Sequence, residues 1–294
     1  GTVGKVLGTF LLICVITGAI LLCFAAVYIK TVIIPEAGAV DLSQFAVGEN
    51  SVMYYMDQDT GNYRELVTLA AEENAEWVNY EDIPEDLINA TVAIEDRRFW
   101  KRTAAAILYM FTGQDIQGGS TITQQLIKNL TQYDDVTVKR KVIEIFRALQ
   151  FDKDYTKETT LEWYLNFIWL GDRCRGVGAA AMNYFGKPVQ ELTLAECASL
   201  ISITNNPTIY GPYSDAVFTN SETGEQKTAR DKNKERQELV LWSMLDQGYI
   251  TQEEYDEAVA QELVFDRAAG ESTPSTIYSW YEEQVISDVK DDLK

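Results

Sequence analysis

Residues 118–130 read GGSTITQQLIKNL, a glycine turn that leads directly into an amphipathic helix. Gly118 and Gly119 allow backbone angles that other residues avoid, and they let a ligand approach the main chain. Helical periodicity predicts an apolar face with Ile122, Leu126 and Leu130, and a polar face with Thr121, Gln124, Gln125 and Lys128. Such a helix N-terminus suits an anion or a sugar, although an ordinary capped surface helix has the same pattern.

The segment VKRKVIEIFRALQ at 138–150 predicts a second helix with charge along one face. Arg140, Glu144 and Arg147 recur at helical spacing, and Lys141 lies one turn before Glu144. Two interpretations stay open from this spacing. One is a solvated salt-bridge ladder, which is its usual meaning and contributes little stability. The other is a carboxylate held among cations that bind a polyanion.

A third segment, ATVAIEDRRFWKRTAA at 90–105, ends a predicted helix with a carboxylate. Pro84 suits the first turn of this helix, and the apolar face of the helix ends at Glu95. Glu95 could therefore point into a cleft and act as a general base. The alternative is an acid at a helix end, paired with Arg97 or Arg98.

Composition excludes several classes of function. The chain has 294 residues and a formal charge of −20, which argues against a nucleic-acid partner because phosphate binding needs a basic surface. The absence of histidine excludes Ser-His-Asp and Cys-His catalysis and histidine-ligated zinc. Acid–base chemistry must come from carboxylates, Lys or Tyr. Cys174 and Cys197 are predicted to be small buried residues, with a disulfide as the alternative if the chain is exported.

An uncharged run from Val6 to Ile29, flanked by Lys5 and Lys30, predicts a membrane anchor. A helix of this length spans roughly 36 Å, enough to cross a bilayer. One lysine on each side leaves its orientation open. The predicted organisation is an anchor at 1–35, a catalytic-sized domain at 36–213 and a polar, acidic, helical extension at 214–294.

Periodicity and turn signals predict a β-hairpin at 51–69, followed by a mainly helical chain. The helices predicted after the one that begins near Pro84 are 121–131, 138–150, 157–170, 176–185, 193–203, 233–247 and 252–262.

Taken together and in order, these segments resemble the peptidoglycan glycosyltransferase domain, glycosyltransferase family 51. This is the polymerising module of class A penicillin-binding proteins and of monofunctional peptidoglycan glycosyltransferases. The resemblance covers about residues 50–213. The matching motifs are EDRRF at 95–99, GSTITQQLIKN at 119–129, RKVIE at 140–144, KETTLEWYLN at 157–166, and RGVGAAA with YFGK between 175 and 187.

The resemblance implies a mainly α, lysozyme-like, two-lobed domain with a small β-hairpin region behind an N-terminal transmembrane helix. It implies polymerisation of lipid II into β-1,4-linked glycan, with inversion and release of polyprenyl diphosphate. The implied location is a single pass through the bacterial cell membrane, with the catalytic domain on the extracytoplasmic face. The implied partners are lipid II, lipid-linked glycan, the membrane and division or elongation proteins. Residues 214–294 would then lead towards a transpeptidase domain.

The resemblance also assigns roles to individual residues. Glu95 is the expected general base. Glu144 is the second essential carboxylate, which either orders the cations or takes part in assistance by a divalent metal. The expected substrate-binding residues are Asp96, Phe99, Gly119, Ser120, Thr121, Gln124, Gln125, Lys128, Asn129, Arg140, Lys141 and Asn166. A divalent cation, Mg²⁺ or Mn²⁺, is the only cofactor implied, and no organic cofactor is expected.

The chain departs from the family pattern after Phe99. Similar members carry about seven further residues, including a histidine, between Phe99 and Lys101, in a region where flexible loops are common. Either the protein has a deletion beside Glu95, or a loop is missing from the sequence at this point. We favour the missing loop; a normal chain path from Trp100 to Lys101 would contradict it.

Two rival functions stay open. A lysozyme-like glycosidase also uses carboxylates, but it needs neither an anchor nor diphosphate-binding cations, so Lys128, Arg140 and Lys141 argue against it. A membrane-tethered inactive homologue or scaffold would bind lipid II without turnover, and a true deletion beside Glu95 would favour it.

Overall fold

The computed structural model describes residues 2–45, 51–56, 63–69, 74–101, 120–131, 137–219 and 224–266. The helices are α1 Thr2–Tyr28, α2 Ile34–Ala37, α3 Glu85–Glu95, α4 Ile122–Thr131, α5 Val138–Asp154, α6 Lys157–Phe167, α7 Val177–Phe185, α8 Leu194–Ser202, α9 Pro207–Tyr210, α10 Ala229–Asp246 and α11 Gln252–Ala260. The strands are β1 Ser51–Met56, β2 Tyr63–Leu69, β3 Asn74–Ala75, β4 Cys174–Arg175, β5 Val217–Thr219 and β6 Gln226–Thr228. The predicted fold class is confirmed, because the described chain is mainly helical with a β1–β2 hairpin and an apolar N-terminal helix.

The helix predicted over 157–170 ends early, at Phe167. A tight turn replaces its last residues, since Leu170 N donates to Cys174 O at 3.0 Å and Gly176 N donates to Ile168 O at 2.8 Å. Asp172 and Arg173 lie in this turn at positive φ angles of 46° and 62°. The turn brings β4 beside β3 in a short parallel pair.

The chain divides into two compact units. The first comprises residues 1–46 and 98–164, and the second comprises 47–97 and 165–294. The predicted domain boundaries, after residues 35 and 213, stay predictions.

In the first unit, α1 continues through a π-helical turn, Ile29–Ile33, into α2. Residues 4–37 of this continuous helix are long and apolar enough to cross a membrane. The C-terminal end of the helix packs on α5, where Ile33 and Ala37 are buried together with Ile143. Polar contacts fasten the same joint, as Arg147 Nε donates to Ala37 O at 2.5 Å and Lys139 pairs with Glu36 at 2.6 Å.

The second unit is built around α3, α8 and α10, which pack on one another. Buried polar side chains fix α10 to α8. Asn233 Nδ2 donates to Ser199 O at 3.1 Å, and Asn233 Oδ1 accepts from Ser199 Oγ at 2.6 Å. Gln237 Nε2 donates to Ala195 O at 2.9 Å. Because these buried groups are satisfied only in this packing, they specify how α10 lies against α8.

Cys174 and Cys197 are free thiols buried in the second unit. Burial raises the pKa of the Cys197 thiol far above its ordinary value, with Asp86 and Glu196 adding repulsion, so the thiol is neutral and unreactive near pH 7. The prediction of two small buried residues is confirmed, and the alternative of a disulfide is not.

Asp86, in the first turn of α3, is expected to weaken the fold at neutral pH. Burial raises the pKa of its carboxyl, and the charges of Glu254 and Glu85 raise it further. A raised folded-state pKa means that the folded protein binds this proton more tightly than the unfolded chain does, so ionisation costs stability. We expect Asp86→Asn to raise the Tm at pH 7.

That gain should disappear below about pH 3, under the ordinary aspartate pKa of about 3.9, where the wild-type carboxyl is protonated in both states. Thermal unfolding followed by circular dichroism at the two pH values checks this. A gain of equal size at both pH values would contradict the electrostatic explanation.

Candidate functional site

In the first unit, Glu144 lies between two cations at the centre of α5. The residue is only 6% exposed. Arg140 Nη1 donates to Glu144 Oε2 at 3.0 Å, and Lys141 Nζ bonds to Glu144 Oε1. This burial contradicts a salt-bridge ladder exposed to solvent. A carboxylate that is removed from water needs cationic partners, and Arg140 and Lys141 supply them. Glu144 therefore orders Arg140 and Lys141.

Lys141 joins this cluster to the start of α4. Its Nζ donates to Ser120 Oγ at 2.8 Å and to Gln124 Oε1 at 3.2 Å. Thr121 Oγ1 accepts from Gln124 N at 3.1 Å and so caps the helix, while the Gln124 side chain bonds to Lys141. Among the described residues, the buried Gln124 Nε2 finds no acceptor, so it can donate to a ligand.

A shallow groove adjoins the cluster. It is lined by Ile127, Lys128, Thr131, Arg140, Ile143, Glu144 and Arg147. Three of these residues are cations and one is an anion, so the groove is electropositive within an acidic chain. Such a groove suits a phosphate-bearing ligand.

Arg147 is the one cation in the described groove lining that was not predicted as a binding residue. Its spacing was the available signal, since it lies seven residues after Arg140 and three after Glu144, on one helix face. The predicted Gln125 lies outside this lining set, and its Oε1 accepts from Tyr164 at 3.2 Å. Asn129 is partly exposed on α4, and Gly119 lies outside the described residues.

Phe99, also predicted to bind substrate, is buried in the first unit at 1% exposure. Lys157 Nζ lies 4.7 Å from its ring centroid and pairs with Asp152 at 3.0 Å. Asp152 in turn accepts from Thr123 Oγ1 at 2.9 Å. These contacts are those of a packing residue stabilised by a cation over its ring.

The chain is continuous beside Phe99. A single 3-10 turn spans Phe99–Lys101, and Lys101 N donates to Arg98 O at 3.0 Å. The two explanations for the departure from the family pattern after Phe99, a deletion and a missing loop, both stay predictions.

In the second unit, Glu95 lies at the C-terminal end of α3 and is partly buried. Its Oε1 accepts a hydrogen bond from Thr204 Oγ1 at 2.9 Å. Asp96 follows as the buried C-cap, and its N–H donates to Val92 O at 3.1 Å. Arg97, one proposed partner of Glu95, pairs with Asp246.

The end of α10 holds this helix end in place. Gln247 Nε2 donates to Ala93 O at 2.9 Å, which satisfies a carbonyl that α3 leaves open at its C-terminus. Gln247 thus contacts α3 just before Glu95, and Asp246 pairs with Arg97 just after α3 ends. No motif signalled these contacts, because each joins residues about 150 positions apart.

Asn166, another predicted substrate residue, clamps backbone instead. Its Oδ1 accepts from Val78 N and its Nδ2 donates to Val78 O, each at 2.8 Å. The residue is 1% exposed. The Asn166 amide thus satisfies both backbone polar groups of Val78, as a neighbouring β-strand would, and it holds the two segments together in the second unit.

Gly176 packs against the same residue, and we expect Gly176→Ala to destabilise the fold strongly. Its φ of 80° and ψ of 162° lie in a region that is essentially restricted to glycine. An added Cβ would lie 2.7 Å from Asn166 O and 3.1 Å from Asn166 Cα. Strain of about 1–3 kcal/mol and overpacking of about 1–3 kcal/mol together predict a loss of about 3–5 kcal/mol.

Gly248→Ala is the matched control, because Gly248 also has a positive φ, 76°, but a Cβ there would meet nothing within 4 Å. Its expected cost is about 1–2 kcal/mol. Urea unfolding of both variants measures the difference, and equal losses would rule out the contact with Asn166 as the cause.

The described residues do not fit a divalent cation at Glu144. Both of its oxygens are bonded to cations, Arg140 and Lys141. No group of three or more Cys, Asp or Glu residues suited to a metal occurs in the part of the chain that the structure describes. The divalent cation stays a prediction, and the mechanism below uses no step through it.

In the first unit, a cation-lined groove lies between α4 and α5, and α5 packs against the apolar N-terminal helix. The second unit separately carries a carboxylate at the end of α3. The chain belongs to the transglycosylase family, whose model matches residues 62–245. It is therefore a glycosyltransferase domain of peptidoglycan synthesis. The matched region extends beyond residue 213 and includes almost all of α10.

Two similar proteins are both named penicillin-binding protein 1A. Penicillin-binding protein 1A of Clostridium botulinum (strain Hall) is 38% identical over 264 residues, which is 84% of this chain and 30% of that protein. Penicillin-binding protein 1A of Aquifex aeolicus is 42% identical over 195 residues, which is 64% of this chain and 25% of that protein. The chain thus spans less than a third of the length of these relatives.

A solved structure is also similar. The 2.6 Å crystal structure of penicillin-binding protein 1A from Haemophilus influenzae matches with a TM-score of 0.41 and 24% identity, over 84% of this chain and 24% of that chain.

Proposed function

We propose that the chain polymerises lipid II into β-1,4-linked glycan with inversion at the anomeric carbon. The observation that carries this proposal is the array of Arg140, Lys141 and Lys128 around a buried Glu144. A diphosphate leaving group needs such cations, because negative charge develops on it as the bond breaks. Glycan hydrolysis has no such leaving group.

The apolar helix supports a lipid-linked substrate. Its end packs directly on α5, the helix that carries the cations. A polyprenyl chain stays in the bilayer while its diphosphate lies at the surface, so a groove held next to an anchor suits both parts. The catalytic domain would lie on the extracytoplasmic face of the bacterial membrane, and association with division or elongation proteins stays a prediction.

In the proposed reaction, Glu95 takes the proton of the 4-hydroxyl of the incoming lipid II. The oxygen attacks the anomeric carbon of the growing strand from the face opposite the diphosphate, which inverts the configuration. The diphosphate leaves with the electron pair of the broken bond. Lys128, Arg140 and Lys141 stabilise its charge, and Arg147, which also lines the groove, adds a further cation.

One observation favours a second function, an inactive homologue that binds lipid II without turnover. The given sequence passes from Phe99 through Trp100 to Lys101 without the histidine that the family pattern has there, and a true deletion at this point would favour the inactive homologue.

An assay of the detergent-purified protein with labelled lipid II tests these functions. We expect gel-resolved glycan polymer together with released polyprenyl diphosphate. Binding of lipid II without polymer would support the inactive homologue. Cleavage of preformed glycan without polymer would support the lysozyme-like glycosidase.

A further inference from the structure

Thr204 lies beside the proposed base in the second unit. It belongs to a 3-10 turn, Ile203–Asn205, that follows α8, and it is partly buried. Its Oγ1 lies 2.9 Å from Glu95 Oε1 and 2.7 Å from Ile201 O. Both distances are those of well-formed hydrogen bonds, so the hydroxyl sits between two acceptors.

A hydroxyl carries one proton and cannot donate to both acceptors at once. A charged carboxylate is the stronger acceptor, so ionised Glu95 receives the proton of Thr204. Ile201 O does not become unpaired in this state, because the N–H of Ile203 also donates to it. The Thr204 hydroxyl can therefore donate to Glu95 Oε1 or to Ile201 O, depending on the charge on Glu95.

We propose that Thr204 is a positioning residue for Glu95 whose hydroxyl changes partner as the carboxylate gains a proton. The proposal rests on the proposed function, in which Glu95 is the general base. Before transfer, the bond from Thr204 fixes the position of Glu95 Oε1 and so restricts rotation of the carboxylate. A base held in one orientation accelerates the reaction, because a small displacement of a catalytic group costs much of the rate.

During the chemical step, one proton moves from the attacking hydroxyl to Glu95. The O–H bond of the attacking hydroxyl breaks, its proton passes to the Glu95 carboxylate, and its oxygen forms the new bond to the anomeric carbon. The Thr204 hydroxyl turns towards Ile201 O, and its lone pairs can accept from the neutral Glu95 carboxyl. Neither protonation state leaves these polar groups unpaired, so few atoms must move during the reaction.

An N–H donor in this place would lack both properties, because it can neither turn to a second acceptor nor accept from the protonated acid. The methyl group of threonine is not needed for this role. Removal of the hydroxyl should therefore lower the rate, whereas removal of the methyl group should not.

The test compares Thr204→Val, Thr204→Ser and, as a matched control, Thr208→Val, an exposed threonine four residues away. Rates of lipid II consumption give kcat and KM for each full-length protein, and thermal unfolding shows that each is folded. For Thr204→Val we expect kcat to fall about tenfold or more with KM within about twofold of wild type. Thr204→Ser and Thr208→Val should keep at least about half of the wild-type kcat.

Three results would overturn the proposal and leave the proposed function standing. One is a Thr204→Val kcat equal to that of wild type, while Glu95→Gln is inactive. Another is an equal loss in Thr204→Ser, which would assign the effect to packing of the methyl group. The third is a rise in KM alone, which would assign Thr204 to substrate binding. A folded wild type that makes no polymer would overturn both the proposed function and this inference.

Discussion

Glu95→Gln is expected to reduce the polymerisation of lipid II by about 10²–10⁴-fold, the usual contribution of a general base. Glutamine keeps the shape of the side chain, and its oxygen can still accept from Thr204 Oγ1, which lies 2.9 Å away in the wild type. It cannot take a proton from the attacking hydroxyl. The fold should therefore persist while the chemical step fails.

Radiolabelled lipid II, resolved by gel electrophoresis after timed incubation, measures this loss. Glu257→Gln is a matched control, since Glu257 is an exposed glutamate on α11. Its activity should equal that of wild type. If Glu95→Gln polymerised lipid II at the wild-type rate, another group would have to be the base.

Glu144→Gln should damage both stability and activity. Arg140 and Lys141 share this carboxylate, and its side chain is only 7% exposed. Removing one member of a buried ion pair costs about 3–5 kcal/mol; we expect about 2 kcal/mol here, because both cations keep some contact with water. Activity should fall about 10²-fold, since the cations that stabilise the leaving group lose their fixed positions.

Urea unfolding and the polymerisation assay, applied to the same preparation, separate the two effects. The activity loss should persist at temperatures where the variant is fully folded. A variant with unchanged stability and rate would mean that the cluster is not coupled through Glu144. Glu257→Gln again serves as the comparison, with an expected change in stability below about 0.5 kcal/mol.

Local sequence signals predicted most of the secondary structure. The helix predicted at 252–262 spans Gln252–Ala260 and begins at a capping box of Thr251 and Glu254, and Gly248 precedes it with a positive φ. The end of α6 was misjudged, because apolar residues after Phe167 continue the helical pattern while the chain turns sharply at Asp172 and Arg173. Periodicity reports burial, and Ile168 and Leu170 are as buried after the helix end as residues of a buried helix are.

The candidate site was predicted as far as its motifs reach. The contacts among Ser120, Gln124, Lys141 and Glu144 join two motifs that were read separately. Phe99 and Asn166 also belong to motifs, yet the structure packs one beneath Lys157 and bonds the other to Val78. Motif membership does not distinguish a residue that touches substrate from one that supports the wall behind it.

Contacts between distant parts of the chain gave no local signal. Thr204 reaches Glu95 across 109 residues, and Gln247 reaches Ala93 across 154. Neither residue has a neighbour pattern that distinguishes it from an ordinary turn residue. Only the packing of α3, α8 and α10 brings them together.

The joint between the apolar helix and α5 has a mechanical consequence. If a flexible linker joined the domain to its membrane helix, the distance between the groove and the bilayer would vary. Here Arg147 and Lys139 fasten the helix end to the same helix that bears Arg140 and Lys141. In the proposed function, the N-terminal helix would therefore both anchor the chain and fix the depth at which Arg140 and Lys141 meet a lipid-borne phosphate.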